Sequence, residues 1–427
     1  MCKKYIIFGF VFMLMFSCFF CAKDSIKSNV FALQNTLSTI QTSTYLDIST
    51  DLQDQVDEQI KNLNTNQFDE ILKDLGEKEK TIFNGESFFE KLQKIISGKE
   101  GFGFGEIIKL FLTLFLDNLS GIIPILALIC AVAILSSILL QFRGKSMNKP
   151  LGDIIHFACY AVVVVLVLTS VFELVKITTN TLNSLKSQME ISFPILLTLM
   201  ASLGAGSSVA IYQPLLAILC GIMLQIFSVI VLPIFSLTLI FSVIGNLTSS
   251  VKFNKLTKFL ESTFKYIIGF VFTIFSGFMA ISGIVAGSYD GISIRATKFA
   301  IKSYVPIMGG YISDGFSLIM ASSVLIKNAI GYSGLIILFL TIISPLIKIV
   351  LYKLGLSLVA GIIESVADKR VTNFVSSTAK SLTMLSSIIL AFSFSYLISV
   401  GLLMCTSNVF WCQITIFLRF LFKAYKW

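Results

Sequence analysis

A single histidine, His156, leaves most enzyme classes without their chemistry. No HExxH helix, no cluster of imidazole metal ligands and no repeated Ser-His or Cys-His nucleophile system can be assembled from one imidazole. His156 follows Asp153 where an apolar run leaves a basic loop, and an interfacial hydrogen bond is a simpler reading there than a proton relay. Cysteine adds no chemistry. Cys2, Cys18 and Cys21 fall in the N-terminal targeting segment, Cys130, Cys159 and Cys220 in apolar spans, and Cys405 and Cys412 near the end. The one long polar region, residues 33–105, contains none, so a disulfide framework is excluded there and the thiols read as small packing residues. A phosphate-binding loop is also missing. Gly101-Phe102-Gly103-Phe104-Gly105 follows no strand and lacks the required spacing, which leaves a hinge at the membrane surface. Nothing points to a cofactor, a metal or an enzymatic activity. Charged side chains make up only 13% of the 427 residues, too few to clothe soluble domains of this size.

What is abundant is apolar: 55% of residues, 39 of them phenylalanine, with a positive mean hydropathy. At ~20 apolar residues per helix this supplies about six to eight membrane spans. The net charge of +9 does not form a nucleic-acid patch. Residues 33–105 carry 13 acidic and 7 basic side chains, whereas residues 106–427 carry 22 basic and 10 acidic ones. The basic excess therefore sits in the loops between spans, where it sets orientation.

Lys3 and Lys4 ahead of the apolar run Tyr5 to Phe20 have the pattern of a secretory signal, with the best cleavage site after Ala32 and an uncleaved anchor as the open alternative. Either places residues 33–105 outside the cytoplasm. There Leu52, Val56, Ile60 and Leu63 recur at helical spacing, as do Phe68, Ile71, Leu72 and Leu75, and Ser87 with Glu90 forms a capping box before Leu92, Ile95 and Ile96. Such narrow stripes bury a marginal core, so this acidic helical domain is expected to dock on a partner or on its own membrane domain.

Spans are expected at about 119–140, 154–175, 214–245, 265–287, 331–353 and 381–403. Arg143, Lys145 and Lys149 lie in one loop, Lys252, Lys255, Lys258 and Lys265 in a second, and Lys348, Lys353, Lys369, Arg370 and Lys380 in a third, which makes these three cytoplasmic. That parity requires residues 191–213 and 306–328 to make no net crossing, so both are read as re-entrant hairpins. Residues 190–290 also align on 305–405. Pro194-Ile195 falls on Pro306-Ile307, Ser207-Ser208-Val209 on Ser322-Ser323-Val324 and Pro233 on Pro345; Thr257, Phe259, Ser262, Thr263 and Lys265 fall on Thr372, Phe374, Ser377, Thr378 and Lys380. The pattern is a parallel internal repeat of the kind found in transport proteins. The expected fold is thus an all-α polytopic membrane protein with six or seven transmembrane helices and two re-entrant hairpins. Its layout would be a signal peptide (1–32), the acidic domain (33–105), a two-span hairpin (106–175), repeat A (176–289), repeat B (290–404) and a C-terminal span or interfacial helix (405–427).

The run from Asp290 to Phe299, then Pro306, Gly309, Ser313-Asp314 and Leu325-Ile326-Lys327-Asn328-Ala329-Ile330-Gly331, resembles the stage III sporulation protein AE family of endospore-forming bacteria, as does Phe193 to Ser202. The resemblance covers roughly residues 30–409; Phe410 to Trp427 depart from it. It implies a permease-like protein of the mother-cell membrane around the forespore, in a complex with the other stage III A sporulation proteins and, directly or indirectly, with the forespore stage II Q protein. That complex bridges two membranes and is required for late forespore gene expression. Membrane lipid and, left open, a second copy of the chain are the other expected partners. Two further readings also stay open: an autonomous secondary transporter of a small metabolite and a purely structural docking platform.

Candidate pore or hairpin residues follow from polarity in apolar surroundings. Asp290, Arg295, Lys298, Asp314, Lys327 and Asn328 crowd around the second hairpin, which Pro306 opens. Pro194 opens the first, and Gly204, Gly206, Ser207 and Ser208 form its tight turn. An outer loop or headgroup role for the charges is the plain alternative. Gly283 and Gly287 form a small-xxx-small pair, the usual mark of close helix contact. An aspartyl protease is excluded because a second, glycine-flanked aspartate within a span is missing.

Overall fold

The computed structural model describes residues 104–146, 149–247, 253–304, 309–365 and 369–405, together with Glu90 and Lys94. The expectations for the signal peptide, for nearly all of the acidic domain, for Pro306 and for the segment beyond Cys405 lie outside the described residues. Those described are helical, with no strand: α1 (Phe104–Ser146), α2 (Lys149–Ser202), α3 (Gly206–Ile226), a π-helical turn (Phe227–Val231), α4 (Leu232–Leu247), α5 (Asn254–Tyr304), α6 (Gly309–Ile363) and α7 (Lys369–Cys405).

Among the described residues, six stretches are long and apolar enough to cross a membrane: 108–135, 157–202, 206–246, 255–285, 322–363 and 369–405. The second joins two segments that the sequence had divided into a span and a hairpin. Helix α2 runs unbroken through Pro194, and the chain turns only after Ser202. Gly204 N–H donates to the Ala201 carbonyl (2.9 Å) and Ala205 N–H to the Met200 carbonyl (3.0 Å), a Schellman ending with Gly204 at φ 77°. Only glycine takes that conformation cheaply, so Gly204 fixes where α2 stops. The π-helical turn has a similarly local cause. Pro233 has no amide to give Val229 and its ring crowds that carbonyl, so the preceding turn widens and Leu232 N–H reaches back to Phe227.

The outer helices are apolar on both faces, as membrane solvent demands. On α1, Leu110, Leu114, Ile122 and Ile129 face the bundle while Leu112, Leu116, Ile123 and Leu128 are exposed. Helices α6 and α7 form the centre: 67% and 72% of their most apolar windows are buried, against 17% for α1. Helix α6 packs on α7, α2 and α1, and α7 packs on α2 and α4 as well. Serines permit the close approach of α7. Ser393, Ser395 and Ser399 are buried and return their hydroxyls to the carbonyls of Ile389, Ala391 and Ser395, so no polar atom needs lipid.

Contacts between helix ends place three connections together. Tyr160, near the start of α2, donates its hydroxyl to the Val243 carbonyl near the end of α4 (3.0 Å). Its ring meets Phe374, near the start of α7, edge-on at 5.9 Å. The basic connections around Lys145, Lys255 and Arg370 therefore share one end of the bundle, and the Gly204 turn and the α5–α6 connection share the other.

Because Gly204 sits in the left-handed region, Gly204→Ala should lower stability by ~1 kcal/mol. Gly206, with open space around its missing Cβ, should accept Ala without loss. Thermal unfolding of the two purified variants in one detergent checks the contrast.

Candidate functional site

Helix α6 is buried over most of its circumference between Leu325 and Tyr352, in a setting where polar side chains are expensive. Yet Ser323, Lys327, Gly331, Gly334, Thr341, Pro345 and Lys348 recur at intervals of three, four or seven residues, which puts them on one face. This polar and small-residue stripe runs ~38 Å along the helix, more than the ~30 Å of a bilayer's hydrocarbon core.

Four positions along the stripe, Lys348, Thr341, Gly334 and Gly331, meet α2 or α7. At one end Lys348 Nζ lies 2.7 Å from Glu173 Oε1 of α2, an ion pair whose carboxylate is half-exposed. In the middle Gln188 Nε2 of α2 donates to Thr341 Oγ1 (2.5 Å), and Thr341 donates to the Ile337 carbonyl (2.9 Å). One turn further, the Ser192 hydroxyl of α2 and the Tyr396 hydroxyl of α7 share a hydrogen bond of 2.9 Å, and Phe193 packs edge-on against the Tyr396 ring at 5.8 Å. Gly334 lies against that bond: a Cβ there would stand at ordinary contact distance, 3.4 Å from the Tyr396 oxygen and 3.7 Å from Ser192 Oγ. At Gly331 a Cβ would fall 2.5 Å from Met404 of α7. At the far end Lys327 is fully buried, with Asn328, Ser322 and Ser323 buried beside it.

Among the buried side-chain oxygens of the described residues that have no hydrogen-bond partner in the protein, Gln188 Oε1 lies in the middle of this seam. Such atoms in a low-dielectric interior are costly, so the middle of the seam is polar beyond what its own packing satisfies. The opposite face of α6 is different in kind. There Phe111 and Phe115 of α1, Phe339, Ile343 and Ile347 of α6 and Leu390 of α7 line a pocket with no polar surface, which offers nothing to a hydrated solute. Among the described residues, no three His, Cys, Asp or Glu side chains converge as a metal site would need.

The family described as Stage III sporulation protein AE matches residues 87–407, which takes in every helix of the bundle. The chain belongs to the stage III sporulation protein AE family. Stage III sporulation protein AE of Bacillus subtilis (strain 168) is 25% identical over 324 residues, 74% of this chain and 80% of that protein. No solved structure matches the chain. The resemblance carried by Phe193 to Ser202 and by the Asp290 to Gly331 residues is borne out, and a role in sporulation follows from it.

In this member of the stage III sporulation protein AE family, two groups of the sequence-derived candidates share one end of the bundle. Tyr212, one turn into α3 from the fully buried Ser208, would touch a Cβ at Gly283 of α5 (3.1 Å), and so would Leu402 of α7 (3.6 Å). Leu402 is two residues from Met404, which meets Gly331, and Lys327 lies one turn beyond Gly331. The Gly204 to Ser208 turn and the Lys327-Asn328 pair therefore occupy the same end. Gly206 and Ser207 begin α3 there, Ser207 exposed. Gly283 is a close helix contact, as its spacing implied. Pro194 lies inside α2 rather than at a break. Asp290, Arg295 and Lys298 belong to α5 and Asp314 to α6, so the expected outer loop is helix up to Tyr304 and again from Gly309. The sequence reading missed Gln188, Ser192, Thr341, Tyr396 and Glu173. A signal was present in Thr181, Gln188 and Ser192, which repeat at four to seven residues along α2.

The Ser192–Tyr396 bond is accessible to a double-mutant cycle. Ser192→Ala and Tyr396→Phe should each destabilise the bundle, and together by less than the sum, with a coupling of about 0.6–1.5 kcal/mol. Denaturation of the four proteins in matched micelles measures it.

Proposed function

We propose that this chain is the permease-like membrane component of the sporulation channel, or secretion-like complex, that links mother cell and forespore and is required for late forespore gene expression. The observation that carries the reading is the α6 stripe: a face of polar and small residues from Ser323 to Lys348, closed in by α2 and α7, in a helix that is largely apolar. A path for a hydrated solute requires polar groups at that depth. The protein resides in the mother-cell membrane around the forespore, with the other stage III A proteins and the stage II Q protein as partners. Its acidic domain, residues 33–105, follows a signal peptide and offers the docking surface. The C-terminal segment 405–427 is a further span or an interfacial helix.

The bundle supports a parallel repeat in this reading. Helices α3–α4 and α5 form one unit and α6 and α7 the other, each passing inward, turning at a basic connection and passing outward. Thr257 and Thr372 sit three residues into α5 and α7, and Pro233 and Pro345 lie inside the inward helices. The chain turns after Ser202 and between α5 and α6 then border the mouth of the path, and neither 191–213 nor 306–328 crosses separately. With six crossings, all three basic connections are cytoplasmic and residues 33–105 are outside.

Two experiments test this. Lys255→Cys in an otherwise cysteine-free chain should resist an impermeant thiol reagent in intact cells; labelling from outside would invert the topology. Solute flux in liposomes should require the partner proteins together with this chain. Flux from the chain alone would favour a secondary transporter, and none in any combination would favour a docking platform.

A further inference from the structure

Helix α2 has two polar faces, and only one of them serves the α6 stripe. On that face Thr178, Thr181, Gln188 and Ser192 are buried, the last two against α6 and α7. On the opposite side Glu173, Lys176, Asn180, Asn183, Ser187 and Glu190 are exposed. Their spacing alternates three and four residues without a break, so they form one strip ~25 Å long.

Contacts with the neighbouring helices fix the depth of this strip. Glu173 stands at the height of Lys348 and Gln188 at that of Thr341. The same stretch of α6, through Phe339, Ile343 and Ile347, faces Phe111 and Phe115 of α1 and Leu390 of α7. Two residues beyond Leu390, Phe392 meets Phe227 of the π-helical turn at 6.0 Å, and Phe394 meets Phe272 of α5 at 5.4 Å. At this level the neighbours turn apolar side chains outward: Leu112 and Leu116 of α1, Val229 and Ile230 of the π-helical turn, Phe270 and Ile274 of α5. Inward of Glu173, α2 does the same with Phe172, Val165 and Val162. The strip therefore lies at the depth of the hydrocarbon core. Ionised and amide side chains are strongly unfavourable against acyl chains, so a face of this composition is covered by protein.

Its pattern says by what. Strict three-four alternation is the spacing along which two helices supercoil on each other, the a and d positions of a heptad. Two copies of a membrane protein share one orientation, so a two-fold axis along the membrane normal sets α2 parallel to its counterpart, with each residue opposite itself. An asparagine amide both donates and accepts, which lets Asn180 and Asn183 each pair with their own copy. The charges alternate as well. Glu173 lies three residues from Lys176 at one end, and at the other Lys186 Nζ, on the edge of the strip, is 3.3 Å from Glu190 Oε1. In parallel register each carboxylate comes within one turn of a lysine of the other copy, and no block of one sign faces itself.

We propose that this outer face of α2 is a self-association surface, on which a second copy of the chain packs its own α2 in parallel along the strip from Glu173 to Glu190. The seam shields the strip from lipid and leaves the α6 stripe of each copy intact on the other side of α2. It rests on depth and spacing and stands whether or not the stripe conducts a solute.

Disulfide trapping tests the seam in the full chain, made cysteine-free and expressed in sporulating cells that lack their own copy. Under a membrane-permeant oxidant, Asn180→Cys, Asn183→Cys and Ser187→Cys should each give a covalent dimer, because facing Cα atoms in such a seam lie within the ~7 Å that a disulfide spans. Leu116→Cys and Phe270→Cys, exposed at the same depth, should give about tenfold less, since only collision brings them together. A second measurement leaves the native cysteines in place. Two copies carrying different tags should co-purify in mild detergent, and Asn180→Asp with Asn183→Asp, which sets like charges face to face, should reduce co-purification by about tenfold while each chain still accumulates. Absence of dimers at all three strip positions overturns the proposal, as does equal trapping at Leu116 and Phe270. Co-purification that ignores the two aspartates also counts against it, because the copies would then meet through another face. Trapping of the strip on a different protein, or on residues 33–105 of the same chain, would replace the second copy with that cover.

Discussion

A polar group taken out of water must find its partners in the protein, and that requirement organises this bundle. Helix α6 carries lysine, serine, asparagine and threonine through a region where each would be expelled by lipid. It is therefore surrounded. Helices α2 and α7 supply Glu173, Gln188, Ser192 and Tyr396 on one side, and α1 seals the apolar side with Phe111 and Phe115. Its neighbours and the position of each follow from which face of α6 needs a hydrogen bond and which needs only contact.

The same requirement explains where small residues occur. Gly331 lies on the polar face, where Met404 comes so close to the backbone of α6 that a Cβ would force that side chain to shift. The serines of α7 serve closeness in another way, being slim and able to satisfy themselves on their own helix. Lipid provides no hydrophobic drive between helices, so such close contacts and buried hydrogen bonds hold a membrane bundle together. The outer faces of α1, α3, α4 and α5 carry exposed Leu, Ile and Phe because lipid is their solvent.

Much of this was legible in the sequence, for a simple reason: hydropathy over a window of ~20 residues is a strong signal. The six apolar stretches, the basic connections at one end and the family were all readable from it. Helix length was not. The α2 segment from Lys176 to Ser192 is polar enough to look like a loop, and Pro194 looks like a break, yet the helix continues because α6 and α7 satisfy its polar face and a proline can be accommodated inside a packed span. The true stop, Gly204, was within view as a turn glycine. The stripe itself was half visible. Lys327 and Asn328 stood out as charge and amide in apolar surroundings, but Gln188, Thr341, Ser192 and Tyr396 acquire meaning only when three helices bring them together. Their separations, 153 residues for Gln188 and Thr341 and 204 for Ser192 and Tyr396, put that pairing beyond any local pattern.

The central claim is that one face of α6 forms a polar path and the opposite face does not. A cysteine-accessibility scan of α6 from Ser322 to Lys348, in a cysteine-free chain within sporulating cells, tests it most directly. Using a small hydrophilic thiol reagent, the account predicts modification that repeats every three to four residues, strong at Ser323, Gly331, Gly334 and Thr341 and absent at Phe339, Ile343 and Ile347. Protection of all these positions, or modification centred on Ile343 and Ile347, would contradict it.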